Sequence, residues 1–204
     1  MLNAAIARFI IAAMGLGLLP AHCFAADARA DESPAALVKV MSGSTVDSER
    51  RLAALHLYDN HLHQLMWSDK PDLSPLQELV VSATSDHSPK VRAAAIDSLR
   101  RTLRDFTLNS SSDLSPEAVA ARNANREANR KKAAAICTKQ FLAAGRLKVL
   151  EQMIEDAANE DLAVQAKHVL LYLLQLEDDA AFKAAVDGKV ESEVRVWWAK
   201  DLGA

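Results

Sequence analysis

Apolar residues recur along most of this chain at intervals of three and four, the period of a helix with one buried face. Leu76, Leu79, Val80 and Ala83 follow that spacing, and so do Val91, Ala94, Ala95, Ile96 and Leu99. Between Asp47 and Trp67 the corresponding face carries Leu52, Leu55, Leu62, Leu65 and Met66. No stretch alternates β-branched and aromatic residues in the manner of a half-buried strand. The pattern predicts an all-α fold.

Punctuation residues divide the pattern into pairs. Ser33-Pro34, Ser74-Pro75 and Ser115-Pro116 each place a capping side chain before a proline at the first helical position, where its missing N–H costs nothing. The predicted helices run from Pro34 to Met41, Asp47 to Trp67, after Ser74, after Pro89, from Ser115 towards Ala144, then 146–158, 160–176, 179–186 and 192–202. Gly145 is placed as the residue just past the long helix. Turns at 86–89, around Asn159 and at Asp187-Gly188 are short enough to force consecutive helices antiparallel. The serine-rich stretch 109–113 is the loosest expected connection. Helix, short turn, helix, repeated several times, is the rhythm of stacked hairpins.

The first 25 residues stand apart from this rhythm. Arg8 precedes an apolar run, Phe9 to Leu19, and Cys23-Phe24-Ala25 follows with small residues at the two positions a signal peptidase reads, Cys23 and Ala25. That arrangement predicts a secretory signal peptide, and the run is shorter than the roughly 20 residues a membrane span needs. An uncleaved anchor and lipidation at Cys23 are the alternatives. Residues 26–33 are expected to form a flexible leader, and 34–204 the folded domain. Export to a bacterial periplasm follows from the signal, with no membrane association after cleavage.

Half of the 204 residues are hydrophobic and the formal net charge is −3. Loss of the signal removes one basic residue, Arg8, and makes the balance slightly more acidic. Nucleic-acid binding, which relies on an excess of Lys and Arg, is therefore not expected. Cleavage would leave Cys137 as the single cysteine, in the apolar stretch 133–137, where a buried and unreactive thiol is expected.

The residues Asp86-His87-Ser88-Pro89-Lys90-Val91-Arg92, continuing through Ala95 and Ile96 to Leu99, resemble a HEAT repeat entering its second helix. Val194-Arg195, followed by Ala199 and Leu202, resembles a second copy in which Lys189 replaces the turn aspartate. Asn159 and Val164 fit a third, with Gln165 where the arginine belongs, and Arg50 with the residues 52–57 fits a first. The resemblance covers most of 34–203 apart from 107–144, which reads as an inserted serine-rich loop and long helix. It implies an armadillo-type α-solenoid, a HEAT-like superhelix of antiparallel hairpins whose concave face binds proteins. It also implies that Arg92 and Arg195 tie neighbouring repeats together.

Catalytic signals are absent from the sequence: it has no nucleophile elbow, no glycine-rich phosphate loop and no CxxC pair. His56, Asp59 and His63 share a predicted helix face and form the one candidate metal set, but their spacing matches no strong ligand motif. No metal and no cofactor are expected, and no enzyme activity. Arg122, Arg126 and Arg130, spaced by four, form an expected exposed basic stripe suited to an acidic protein partner. Trp197-Trp198 is the other candidate contact, since tryptophan is enriched at binding hot spots. Its place in the last helix makes self-association through the C-terminal repeat a further expectation. The leading functional expectation is thus an exported, non-catalytic scaffold for protein–protein interaction, and the alternative is a small periplasmic metal-binding protein.

Overall fold

The computed structural model describes residues 32–65, 67–107, 116–176 and 179–201. Among them there are helices and no strands. In chain order they are α1 (Pro34–Gly43), α2 (Asp47–His56), α3 (Pro75–Ser85), α4 (Pro89–Thr107), α5 (Pro116–Leu142), α6 (Arg146–Glu155), α7 (Glu160–Leu176), α8 (Ala180–Ala185) and α9 (Gly188–Asp201). A π-helical turn, Leu57–Leu62, and a short helical turn, His63–Leu65, continue α2. No helix of the described residues is long and apolar enough to cross a membrane. The expected signal peptide, the serine-rich stretch and Met66 lie outside the described residues.

Capping explains several boundaries. Ser33 accepts a hydrogen bond from the Ala36 amide, and Asp179 accepts from the amides of Ala181 and Phe182, satisfying donors that the first helical turn leaves free. Ser74 does not play the expected part: it donates from both its amide and its hydroxyl to Asp72. Between α5 and α6 the chain reverses through two left-handed residues, Ala144 at φ 52° and Gly145 at φ 70°. Gly145 takes that conformation without steric cost, whereas Ala144 carries about 1 kcal/mol of strain.

The helices pack as pairs, α1 with α2, α3 with α4, and α6 with α7. The second members also meet one another in chain order, α2 against α4, α4 against α7, and α7 against α9. On the other side α1 lies beside α3, and α3 beside α5 and α6. The long helix α5 touches α3, α4, α6, α7 and α8, so its 27 residues are a packed component of the domain. The last two helices depart from the pairing, for α8 seats on α5 and α9 on α7.

Burial follows the predicted faces in α3 and α4, where Leu76, Leu79, Val80, Ala83, Val91, Ala94, Ala95, Ile96 and Leu99 are all in the interior. In α2 the face is turned. Across α2 and the π-helical turn Ala53, Ala54, Leu57, Tyr58 and the expected Leu62 are buried, while Leu52, Leu55 and Leu65 lie only half-buried at the edge. Small residues decide this orientation. Ala54 lets α4 approach until the buried Ser98 hydroxyl donates to the Ala54 carbonyl at 2.8 Å. The π-helical turn then adds a residue to the helical path, so an i, i+3, i+7 reading drawn through it loses register.

Candidate functional site

Three polar assemblies sit on this frame, and each is built from a different junction of helices. The first joins the α1–α2 turn to the α3–α4 turn. Arg50, 4% exposed, donates from Nε and Nη2 to the two Asp86 oxygens at 2.8 and 3.1 Å, from Nη2 to Asp47 at 2.8 Å, and from Nη1 to the Ser44 carbonyl at 2.8 Å. Burial works against ionisation of Asp86, but hydrogen bonds from Arg50 and the Ser88 amide outweigh it and hold its carboxyl below the usual range. The same contacts raise the Arg50 guanidinium further above its ordinary value. His87, exposed, adds a contact to Asp47 at 3.3 Å.

Arg92 repeats part of this geometry one hairpin later. It donates to the Asp86 carbonyl at 2.9 Å, and Asp86 is the residue that ends α3, six positions earlier. Arg50 stands six positions after Ser44, which ends α1 in the same way. Arg195 does not follow them. It is exposed and pairs with Glu191 of its own helix at 2.7 Å, because Glu191 lies one turn away on the same face.

The second assembly covers the outward side of α2, α4 and α7. An open groove of about 480 Å³ is lined by Arg51, Leu55, Lys90, Ala93, Ala94, Asp97 and Gln165. Asp97 is held by Arg100 at 2.6 Å, whereas Arg51 and Lys90 meet no carboxylate among the described residues. The Gln165 side-chain oxygen is buried without a hydrogen-bond partner. Further along, the π-helical turn aims Tyr58 at α4. Its hydroxyl donates to Asp105 at 2.6 Å, and the Arg101 guanidinium lies 3.9 Å from its ring while also pairing with Asp59 at 2.8 Å. Burial, then the hydrogen bond to a carboxylate, pushes the Tyr58 phenol upwards, so it stays protonated.

The third assembly surrounds α5. Arg126 is 9% exposed, contrary to the expected exposed stripe, because α5 packs that side against the end of α4 and the segment after α2. Its Nη2 donates to the Phe106 carbonyl at 3.1 Å, and its guanidinium lies 5.7 Å from the Trp67 ring. Asn129, one turn on, donates to the carbonyls of Leu65 and Ser68, and Asn125 donates to Asp69. These amides satisfy carbonyls that the irregular chain after α2 would otherwise leave bare. Arg130 is half-buried and pairs with Glu127 at 3.0 Å. The side chains of Arg122 and Trp198 lie outside the described residues.

Trp197 faces α7, where its ring meets His168 edge-on at 4.5 Å, and His168 also stacks on Tyr172 at 5.9 Å. Val194 is buried in the seam of α9. Of the metal candidates, Asp59 turns to Arg101 and His63 approaches the Tyr58 carbonyl at 3.2 Å. Among the described residues no three His, Cys, Asp or Glu side chains gather to hold a metal ion. Cys137 is buried, and burial raises its thiol to about 12.

Sequence reasoning passed over the groove, the burial of Arg126 and the bond from Arg50 to Asp86. None of the three had a local signal; the readable one was the spacing of six that Ser44-to-Arg50 and Asp86-to-Arg92 share. The fold and these assemblies define an all-helical protein of packed helix pairs, the first two of which are tied by a buried arginine. Compared with known proteins, the chain matches no family model, no curated protein and no solved structure.

Proposed function

We propose that this chain is an exported, non-catalytic helical-repeat protein of HEAT type that carries an acidic, extended segment of a partner protein along the groove between α2, α4 and α7. The observation that carries the reading is the groove itself: two cations that meet no carboxylate among the described residues, Arg51 and Lys90, flank apolar Leu55 and Ala93. An extended segment offers carboxylates to the cations and apolar side chains to Leu55 and Ala93. Serial contact of α2, α4, α7 and α9 supports the solenoid reading. So does the matched placement of Arg50 and Arg92 after the ends of α1 and α3. A curved row of second helices is where such repeats present a continuous surface.

Photo-crosslinking tests the proposal. A crosslinker at Leu55 or Ala93, in protein exported by its own N-terminal segment, should trap one discrete partner. Arg51→Glu combined with Lys90→Glu should reduce that product at least tenfold. Equal trapping from a distant exposed position such as Gln152 would remove the groove from consideration, and N-terminal sequencing of the exported protein reads whether cleavage follows Ala25.

A further inference from the structure

Two arginines are buried among the described residues, and only one has an acidic partner. Among the described residues Arg126 meets no carboxylate at ion-pairing distance; its Nη2 reaches a backbone carbonyl, and its buried Nε finds no hydrogen-bond partner there. A pocket of about 220 Å³ opens against it, lined by Phe106, Thr107, Asn123, Arg126, Glu127 and Arg130. Glu127 does not neutralise Arg126. It is shared between Arg130 at 3.0 Å and Lys131 at 3.6 Å. Burial, and then the proximity of Arg130, lowers the Arg126 guanidinium from its ordinary value, and the opposing charge of Glu127 does not offset them.

We propose that this pocket binds one small carboxylate, with the Arg126 guanidinium as its principal ligand. Three observations select that chemistry. Arg126 and Arg130 against Glu127 leave the lining with one excess positive charge, which a monoanion balances. A planar guanidinium, with its fork of N–H groups, matches the two oxygens of a carboxylate better than a spherical ion. The volume falls below the roughly 300–1,000 Å³ of pockets for larger ligands, so a nucleotide is too large. The carboxylate can belong to a free small acid or to an acidic side chain of a partner. This inference stands apart from the groove, which lies on α2, α4 and α7.

Thermal unfolding of the mature protein at constant ionic strength tests it, with chloride as the reference salt. Acetate should raise the midpoint saturably by about 2–5 °C, and the Arg126 Nε–H resonance should move along the same titration curve. Arg126→Met should keep its helical circular dichroism and lose the response. Arg126→Lys, which keeps the charge without the planar fork, should weaken the titration at least tenfold. N-acetylglutamate α-amide distinguishes the sources: an Arg126-dependent response to it points to a partner's side chain, and a response to acetate alone to a free acid. Acetate acting no differently from chloride, or with undiminished effect on Arg126→Met, would overturn the site.

Discussion

Arg50 and Arg126 are both buried, and they meet opposite electrostatic surroundings. Arg50 faces Asp86 and Asp47 and uses all three of its guanidinium nitrogens. Arg126 faces a carbonyl, an aromatic ring and a polar cavity. Removing a charge from water costs several kcal/mol, and only a well-placed counter-charge offsets that cost. Within this protein, then, one buried arginine is a closed structural tie between consecutive hairpins and the other is an open one. Burial alone does not distinguish them; the partner set does.

Substitutions can break the contrast at its strongest point. Asp86→Ala removes both oxygens that tie Arg50 to the second hairpin and leaves the buried cation only Asp47 and the Ser44 carbonyl, so urea unfolding should show a loss on the order of 3 kcal/mol. Leu99→Ala, in the seam that α4 shares with its neighbours, should cost about the same, roughly 2–4 kcal/mol, through the cavity it leaves. If Asp86→Ala costs no more than an exposed substitution, the tie between hairpins carries no stability.

Acid sharpens the comparison further. The carboxyl of Asp86 titrates below its unfolded value, which lies near pH 3.9 by the usual reference of about that figure. Its contribution is therefore complete above about pH 4 and is lost as the pH falls through the folded value. Asp86→Asn should flatten the acid limb of the stability profile, whereas Arg126→Met should leave its shape unchanged. The smallest effect belongs to the exposed Arg195–Glu191 pair, where Arg195→Ala should alter stability by less than about 0.5 kcal/mol.

How much of this was legible in the sequence depends on whether the signal was local. The boundaries of α7 and the buried faces of α3 and α4 could be read directly, because periodic apolar residues and short turns act within a few positions. The face of α2 could not, since it is chosen by the close approach of Ala54 to Ser98, 44 residues away. Arg126 misled for a related reason. Its spacing from Arg122 and Arg130 predicts a shared stripe, but α5 lies against the end of α4, and a helix with neighbours on several sides has no single solvent face. The groove required three helices to meet, and no one of them carries its signature.

The most direct test of the contrast is the unfolding free energy of Arg50→Met beside that of Arg126→Met, measured in acetate-free buffer. Arg50→Met strands the buried Asp86 and should lose about 2–4 kcal/mol, while Arg126→Met removes an uncompensated charge and should change stability by less than about 1 kcal/mol. Equal losses in the two variants would contradict the division of these arginines into a closed tie and an open site.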